Sequence, residues 1–166
     1  MTKFLDMTFT VRFGEQKDVP SLLRLIKELA YFEKEPEAVE ITEETLLTYG
    51  FGENQMFKFF VAESDDEIVG IALFYERFST WKGPTIHLED LIVTQSKRKL
   101  GIGKALYGKV LQYAYTNNYK RVAWEVLDWN TNAIEFYENS GAKYLSDWSV
   151  VQMNEEGLLN FVNQNI

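Results

Sequence analysis

The segment that most restricts this chain is LEDLIVTQSKRKLGIGKAL, residues 88–106. Leu91, Ile92 and Val93 read as a buried strand, followed by a basic loop, Gly101–Ile102–Gly103 and helical spacing. Any fold carrying this segment must turn from a strand into a helix at a pair of glycines. The first turn of a helix leaves backbone N–H groups unpaired, and the helix dipole adds partial positive charge there. Glycine lets the backbone approach a ligand closely. Lys97, Arg98, Lys99 and Lys104 crowd cations around the same point. Together these features predict a phosphate-binding turn. A Walker loop is excluded, because Ala105 stands where a hydroxyl residue is required and Arg98 where the first glycine is required. The dinucleotide fingerprint also fails, with Leu106 at its third glycine.

The rest of the chain alternates strands and helices. Residues 9–13 alternate apolar and polar, as a half-buried strand does. Asp18 is placed to cap the next helix and Pro20 fits its first turn, with Leu22, Leu25, Ile26 and Leu29 on one face. Residues 42–49 read as a second helix capped by Thr42. Residues 57–63 and 68–75 flank Ser64–Asp65–Asp66 as a hairpin. Strands are further expected at 85–93, 121–126 and 148–153. Helices are expected at 101–115, 132–140 (ended by Gly141 in a left-handed conformation) and 155–162. Phe57, Phe59 and Phe60 read as sheet core. The order β-α-α-β-β-β-α-β-α-β around a central hairpin predicts one α+β (mixed α/β) domain over 1–166, with a central mixed, mostly antiparallel sheet flanked by helices.

Composition narrows the chemistry. With 166 residues, 46% hydrophobic, the chain can bury a core. It has no cysteine and one histidine, His87, which excludes disulfides, thiolate metal sites, cysteine nucleophiles and multi-histidine metal centres. No metal is expected. The net charge of −8 disfavours nucleic acid and favours cationic ligands. No apolar run reaches the ~20 residues that span a bilayer, and residues 1–10 lack the apolar core of a secretory leader. A cytoplasmic location is expected, without membrane partners.

The pattern Arg98-x-x-Gly101-x-Gly103 resembles the pyrophosphate-binding motif of the GNAT acetyltransferase superfamily. The resemblance extends from about Val11 to about Trp148 and points to the spermidine/spermine (diamine) acetyltransferases. It rests on residues 24–30, Tyr49–Gly50–Phe51–Gly52, Ser79–Thr80–Trp81–Lys82–Gly83, Leu88–Glu89–Asp90, Leu127–Asp128–Trp129–Asn130 and Phe136–Tyr137. The Ser-Thr-Trp-Lys-Gly and Leu-Asp-Trp-Asn runs are more similar to the branch acting on thialysine, a lysine-like amino acid. The resemblance implies acetyl-coenzyme A as cofactor. Leu91, Ile92 and Val93 would pair with the pantetheine arm, and Arg98, Lys99, Leu100, Gly101, Ile102, Gly103 and Lys104 would hold the pyrophosphate. Asn130, Ala133 and Tyr137 would complete the cofactor site. Phe32, Glu33, Trp81, Glu89, Trp124, Glu125 and Asp147 would line the amine pocket. Ser79 stands where the spermidine branch has an acidic residue, which weakens the case for a long polyamine. The family implies a homodimer sharing C-terminal strands.

Amine acetylation requires a deprotonated amine, a polarised carbonyl and a proton for the leaving thiolate. Near its ordinary pKa of ~10.4, only about one alkylamine in 2,500 is neutral at pH 7. Glu89 is the candidate base, acting through water, and Tyr137 the candidate acid. A backbone N–H near Ile92 is the candidate oxyanion donor. Glu33, Glu125 and Asp90 are candidate clamps for a cation. His87 reads as structural. Two other readings of the same motifs are a protein-lysine acetyltransferase and a non-catalytic coenzyme A sensor.

Overall fold

The computed structural model describes residues 8–166. The stretch in which the sequence shows no secretory leader lies mostly outside them. The chain divides into two compact units, one ending at Glu125 and the other Val126–Ile166.

The first unit is built on one five-stranded sheet in the order β1-β2-β3-β4-β5. The strands are β1 (Thr10–Phe13), β2 (Lys58–Ser64), β3 (Glu67–Ser79), β4 (Gly83–Val93) and β5 (Val122–Ala123). All neighbours are antiparallel except β4 and β5, which are parallel. This is the mixed, mostly antiparallel sheet the sequence predicts. Its helices are α1 (Val19–Phe32), α2 (Glu43–Phe51) and α3 (Ile102–Thr116).

Period-two alternation sorts the strand side chains to two faces. On one face Phe59, Val61, Ile71, Leu73 and Ile92 pack with Val19, Leu22 and Leu25 of α1 and Leu46 of α2. On the other, Phe74 stacks on Phe60 at 5.4 Å and meets Tyr113 of α3 at 5.0 Å. The expected Phe57–Phe59–Phe60 core is therefore split between faces. The hairpin expected at Ser64–Asp65–Asp66 forms with Asp65 and Asp66 both at positive φ, 52° and 62°, the conformation that matches strand twist. Thr42 caps α2 as expected, its Oγ1 accepting from Thr45 N at 3.2 Å.

Asp18 does not cap α1. Its carboxylate accepts two bonds from the Arg12 guanidinium, at 2.6 and 3.0 Å, and one from Glu15 N at 2.8 Å. With both oxygens engaged by Arg12 and by the Glu15 N–H, the carboxylate does not turn to the first turn of α1.

The second unit holds α4 (Thr131–Asn139) and α5 (Glu155–Asn165). Asn130 caps α4 and Asn154 caps α5. Gly141 follows α4 at φ 94°, as expected. Residues 148–153 are not the expected strand; they are irregular, with Trp148, Val150, Val151 and Met153 exposed. A strand needs a ladder for its backbone groups, and none forms here among the described residues. Likewise β5 has two residues rather than six. Among the described residues no helix is long and apolar enough to cross a membrane.

Leu25 is fully buried beneath the sheet. Leu25→Ala should lower unfolding free energy by about 2–5 kcal/mol in denaturant titration. Tyr115→Ala, at an 85% exposed position, should change it by less than about 0.5 kcal/mol.

Candidate active site

The site is set by how β4 is paired. Toward β3 it is paired along its length, from Ser79↔Gly83 to Gly70↔Val93. Toward β5 it is paired only at Ile86↔Val122 and His87↔Ala123. Beyond His87 that edge of β4 meets no other strand among the described residues. Thr94 N donates to Val69 O at 2.8 Å, so Thr94 and, two back, Ile92 direct their backbone groups at β3. By strand alternation Leu91 and Val93 direct theirs to the open edge. Consistently, Val93 O accepts there from Arg98 Nε at 3.0 Å. The side chain of Ile92 is buried in the α1 face.

A register shift between Leu73 and Phe74 adds a second feature. Asp90 lies opposite Leu73 and Leu88 opposite Phe74, so Glu89 is the extra residue of a bulge. Leu73 belongs to the α1 face, and so does Tyr75, which packs against it. Asp90 therefore shares that face, and Glu89 reaches it too. Glu89 Oε2 accepts from the Tyr75 hydroxyl at 2.9 Å and lies 3.4 Å from His87 Nε2. A regular strand would send consecutive residues to opposite faces; the bulge brings two carboxylates to one.

The electrostatics differ between the two. His87 holds the Glu89 carboxyl below its ordinary range; partial burial opposes this and the Tyr75 hydrogen bond adds to it. Tyr75 is pushed up to about 12 by burial, then by Glu89, with Glu125 adding. Asp90 is pushed up to about 7 by burial and by the negative charges of Glu89 and Glu33. Its carboxylate has no hydrogen bond or ion pair with the described residues. Glu33, just past the end of α1, is raised by loss of water. Phe32 beside it carries the Arg98 guanidinium 5.1 Å above its ring.

Past Val93 the chain makes the predicted turn. Lys99 and Gly101 adopt positive φ, 65° and 81°, and Gly101 is the N-cap of α3 without a side-chain cap. The first α3 backbone bond is Ala105 N to Gly101 O, which leaves the N–H groups of Ile102, Gly103 and Lys104 for another acceptor. A Cβ built at Gly101 meets nothing within 4 Å, and at Gly103 only Val93 Cγ2 at 3.7 Å. The glycines thus leave open space over these donors, in a segment that also carries Arg98, Lys99, exposed Leu100 and Lys104. This donor set fits a pyrophosphate.

Sequence reasoning missed how the loop is anchored. The Glu28 carboxylate of α1 accepts from Thr94 Oγ1 at 2.9 Å and from Gln95 N at 2.9 Å. Arg24 lies 3.8 Å from Glu28 and donates to Ile68 O at 2.7 Å. Helix spacing puts Arg24 and Glu28 on one face, but no local signal pairs them with Thr94. The bulge, and with it the role of Tyr75, was equally invisible.

The structure thus gathers Glu33, Glu89, Asp90 and Tyr75 on one face of β4 and its neighbour, with the charge of Glu125 reaching Tyr75. Trp124 stands edge-on to Tyr107, ring centres 5.6 Å apart, just past β5. Trp81 is not brought to the carboxylates. It lies exposed in the β3–β4 turn, beyond Gly83, the start of β4, which is itself roughly 20 Å along the strand from Glu89 at ~3.3 Å per residue. In the second unit, Asn130 Oδ1 accepts from Ala133 N at 3.4 Å. Tyr137 is half-buried on α4, its ring 5.3 Å from that of Phe136, and Asp147 lies exposed in a turn.

Comparison with known proteins gives the family and the fold. A family model described as the acetyltransferase (GNAT) family matches residues 20–142. A human spermidine/spermine N(1)-acetyltransferase-like protein 1 is 37% identical over 162 residues, 92% of this chain but only 23% of that protein. A thialysine N-epsilon-acetyltransferase of Sus scrofa is 37% identical over 145 residues, 82% of this chain and 85% of that one. Among solved structures, an integron cassette protein of V. cholerae superposes with a TM-score of 0.77 at 24% identity, covering 94% of this chain and 98% of that one. The aminoglycoside N-acetyltransferase AAC(6')-Iy in complex with CoA gives 0.72 at 16% identity, covering 93% and 99%.

Removing the Tyr75 hydroxyl deletes one donor that holds Glu89 ionised. Tyr75→Phe should raise the Glu89 titration midpoint, read from its carboxyl carbon by NMR. An unchanged midpoint would contradict the hydrogen bond.

Proposed function

The chain belongs to the GNAT acetyltransferase family, and from that premise we propose that it is an N-acetyltransferase moving the acetyl group of acetyl-coenzyme A to a primary amine of a small cationic substrate. The observation that carries this reading is the juxtaposition on β4 of an open backbone edge, a bulge that collects carboxylates, and an uncapped helix start two glycines wide.

The coenzyme supplies an acetyl thioester; the chain's residues supply everything else. Arg98, Lys99, Lys104 and the free N–H groups of α3 bind the pyrophosphate. The backbone groups of Leu91 and the N–H of Val93 are available to an extended arm, while Val93 O is held by Arg98, and a Leu91 N–H directed off the sheet suits the oxyanion donor. Glu28 holds the loop start at Thr94 and Gln95, so the cradle is fixed before any ligand arrives. Glu33, Glu89 and Glu125 give the amine pocket its negative charge, with Phe32 and Trp124 as its apolar walls. Asn130 and Ala133 belong to the cofactor side, and Tyr137 is the proposed acid for the departing thiolate; a phenol and a thiol have comparable pKa values, ~10 and ~8.5.

The substrate is a diamine or polyamine, or a lysine-like amino acid such as thialysine. Ser79 in place of an acidic residue supports the shorter substrates, as do the thialysine acetyltransferase relatives. Trp81 stands outside the carboxylate cluster and belongs to the periphery of this proposal; Asp147 is proposed to add charge to the amine pocket. The whole chain acts as one catalytic domain in the cytoplasm, as a homodimer. Supporting the dimer, the second unit exposes Trp148, Val150, Val151, Leu158, Leu159 and Phe161, an apolar surface that a second copy would cover.

An amine panel with acetyl-coenzyme A tests the reading. Turnover is expected with lysine analogues or diamines; turnover with peptides alone would favour a protein-lysine acetyltransferase, and coenzyme binding without any turnover a sensor. Tyr137→Phe should keep coenzyme affinity and lose ~10²-fold or more in kcat. Full turnover in that variant would remove Tyr137 from the mechanism.

A further inference from the structure

Next to Glu89, which the sequence offers as the base, stands Asp90, which the sequence offers only as a clamp for the cation. We propose that Asp90 is the group that takes the proton from the incoming ammonium, while Glu89 remains ionised and holds the amine in place. This rests on the amine-acetylation reading.

Geometry separates the two residues. The bulge turns both toward the α1 face, and the charge of Glu33, just past the end of α1, reaches Asp90. One oxygen of Glu89 is already engaged by the Tyr75 hydroxyl and faced by His87. These contacts favour its charged form and make it a weak base. Asp90 has no donor among the described residues to stabilise its charge, and is less exposed than Glu89. The charged and titratable groups facing Asp90 are Glu89 on its own strand and Glu33 beyond α1. From β3 come apolar Leu73 opposite it and Tyr75 two residues on. All of these leave a proton more tightly bound on Asp90 than on an ordinary carboxyl, and its midpoint of about 7 sits where a general base works best.

The step is a single proton transfer. The ammonium N–H bond breaks, an O–H bond forms on the Asp90 carboxylate, and the pair goes from one positive and one negative charge to none. The freed lone pair on nitrogen is then available for acylation. Because Asp90 must be ionised to accept, kcat/KM should rise with pH through about 7.

Asp90→Asn and Glu89→Gln in the full chain test this, with acetyl-coenzyme A and the best amine of the panel. Asp90→Asn should bind the coenzyme as the parent does in calorimetry, lose roughly 10²–10⁴-fold in kcat/KM, and lose the limb near pH 7. In Glu89→Gln the limb should survive and move to lower pH, because a negative neighbour of Asp90 has gone. Carboxyl-carbon NMR of the free protein reads the same midpoint without turnover, near 7 for Asp90 and lower in Glu89→Gln. A limb kept in Asp90→Asn and abolished in Glu89→Gln would overturn the proposal. So would an Asp90 midpoint at the ordinary aspartate value of ~3.9. If the parent protein acetylates no amine, the functional reading fails, and the NMR midpoint still judges Asp90.

Discussion

Everything at this site depends on β4 being paired fully on one side and only briefly on the other. An unpaired strand edge inside a fold is a cost unless something completes its hydrogen bonds. Here the two parallel pairs at Ile86 and His87 fasten β4 to β5, and beyond them Leu91 and Val93 offer their backbone groups sideways. The core does not suffer for this, because Ile92 still buries its side chain against α1 and pairs with Ile71. Alternation lets one strand serve the core with every second residue and a ligand with the others.

The bulge at Glu89 adds charge to that edge at a real electrostatic cost. Asp90 keeps its proton more tightly in the folded chain than in the unfolded one. Its contribution to stability is therefore greatest at acid pH and declines as pH rises from its unfolded value toward about 7. That is the reverse of an aspartate in a salt bridge, such as Asp18 held by Arg12. A carboxylate kept under strain of this kind gives up stability for readiness to accept a proton. The acidic face on β4 and the basic loop past Val93 are also distinct in sign, so a cationic amine and an anionic cofactor are each drawn to their own half.

Much of this was legible in the sequence because the determining signals are local. Glycine pairs, cap residues and period-two apolar runs identified the hairpin, α2, α3 and the turn at Gly101 without tertiary information. The resemblance carried by Arg98, Gly101 and Gly103 gave the family. What failed was non-local. Asp18 looked like a cap until Arg12 was folded beside it. Residues 148–153 looked like a strand because Val150 and Val151 favour one, but propensity does not supply a partner. The bulge at Glu89 leaves no trace in residue type, so neither the shared face of Glu89 and Asp90, nor the Tyr75 bond to Glu89, nor the repulsion of Asp90 by Glu33 could be read in advance. Glu28 and Thr94 are 66 residues apart, and only the fold joins them.

The open edge can be probed directly by amide hydrogen exchange at β4, residue by residue, with and without acetyl-coenzyme A. The account predicts that Ile92 and Thr94 are protected in both states, whereas Leu91 and Val93 exchange readily in the free protein and become protected on binding. Equal protection of all four amides without ligand, or no gain at Leu91 and Val93 with it, would contradict the claim that this edge is where the cofactor arm lies.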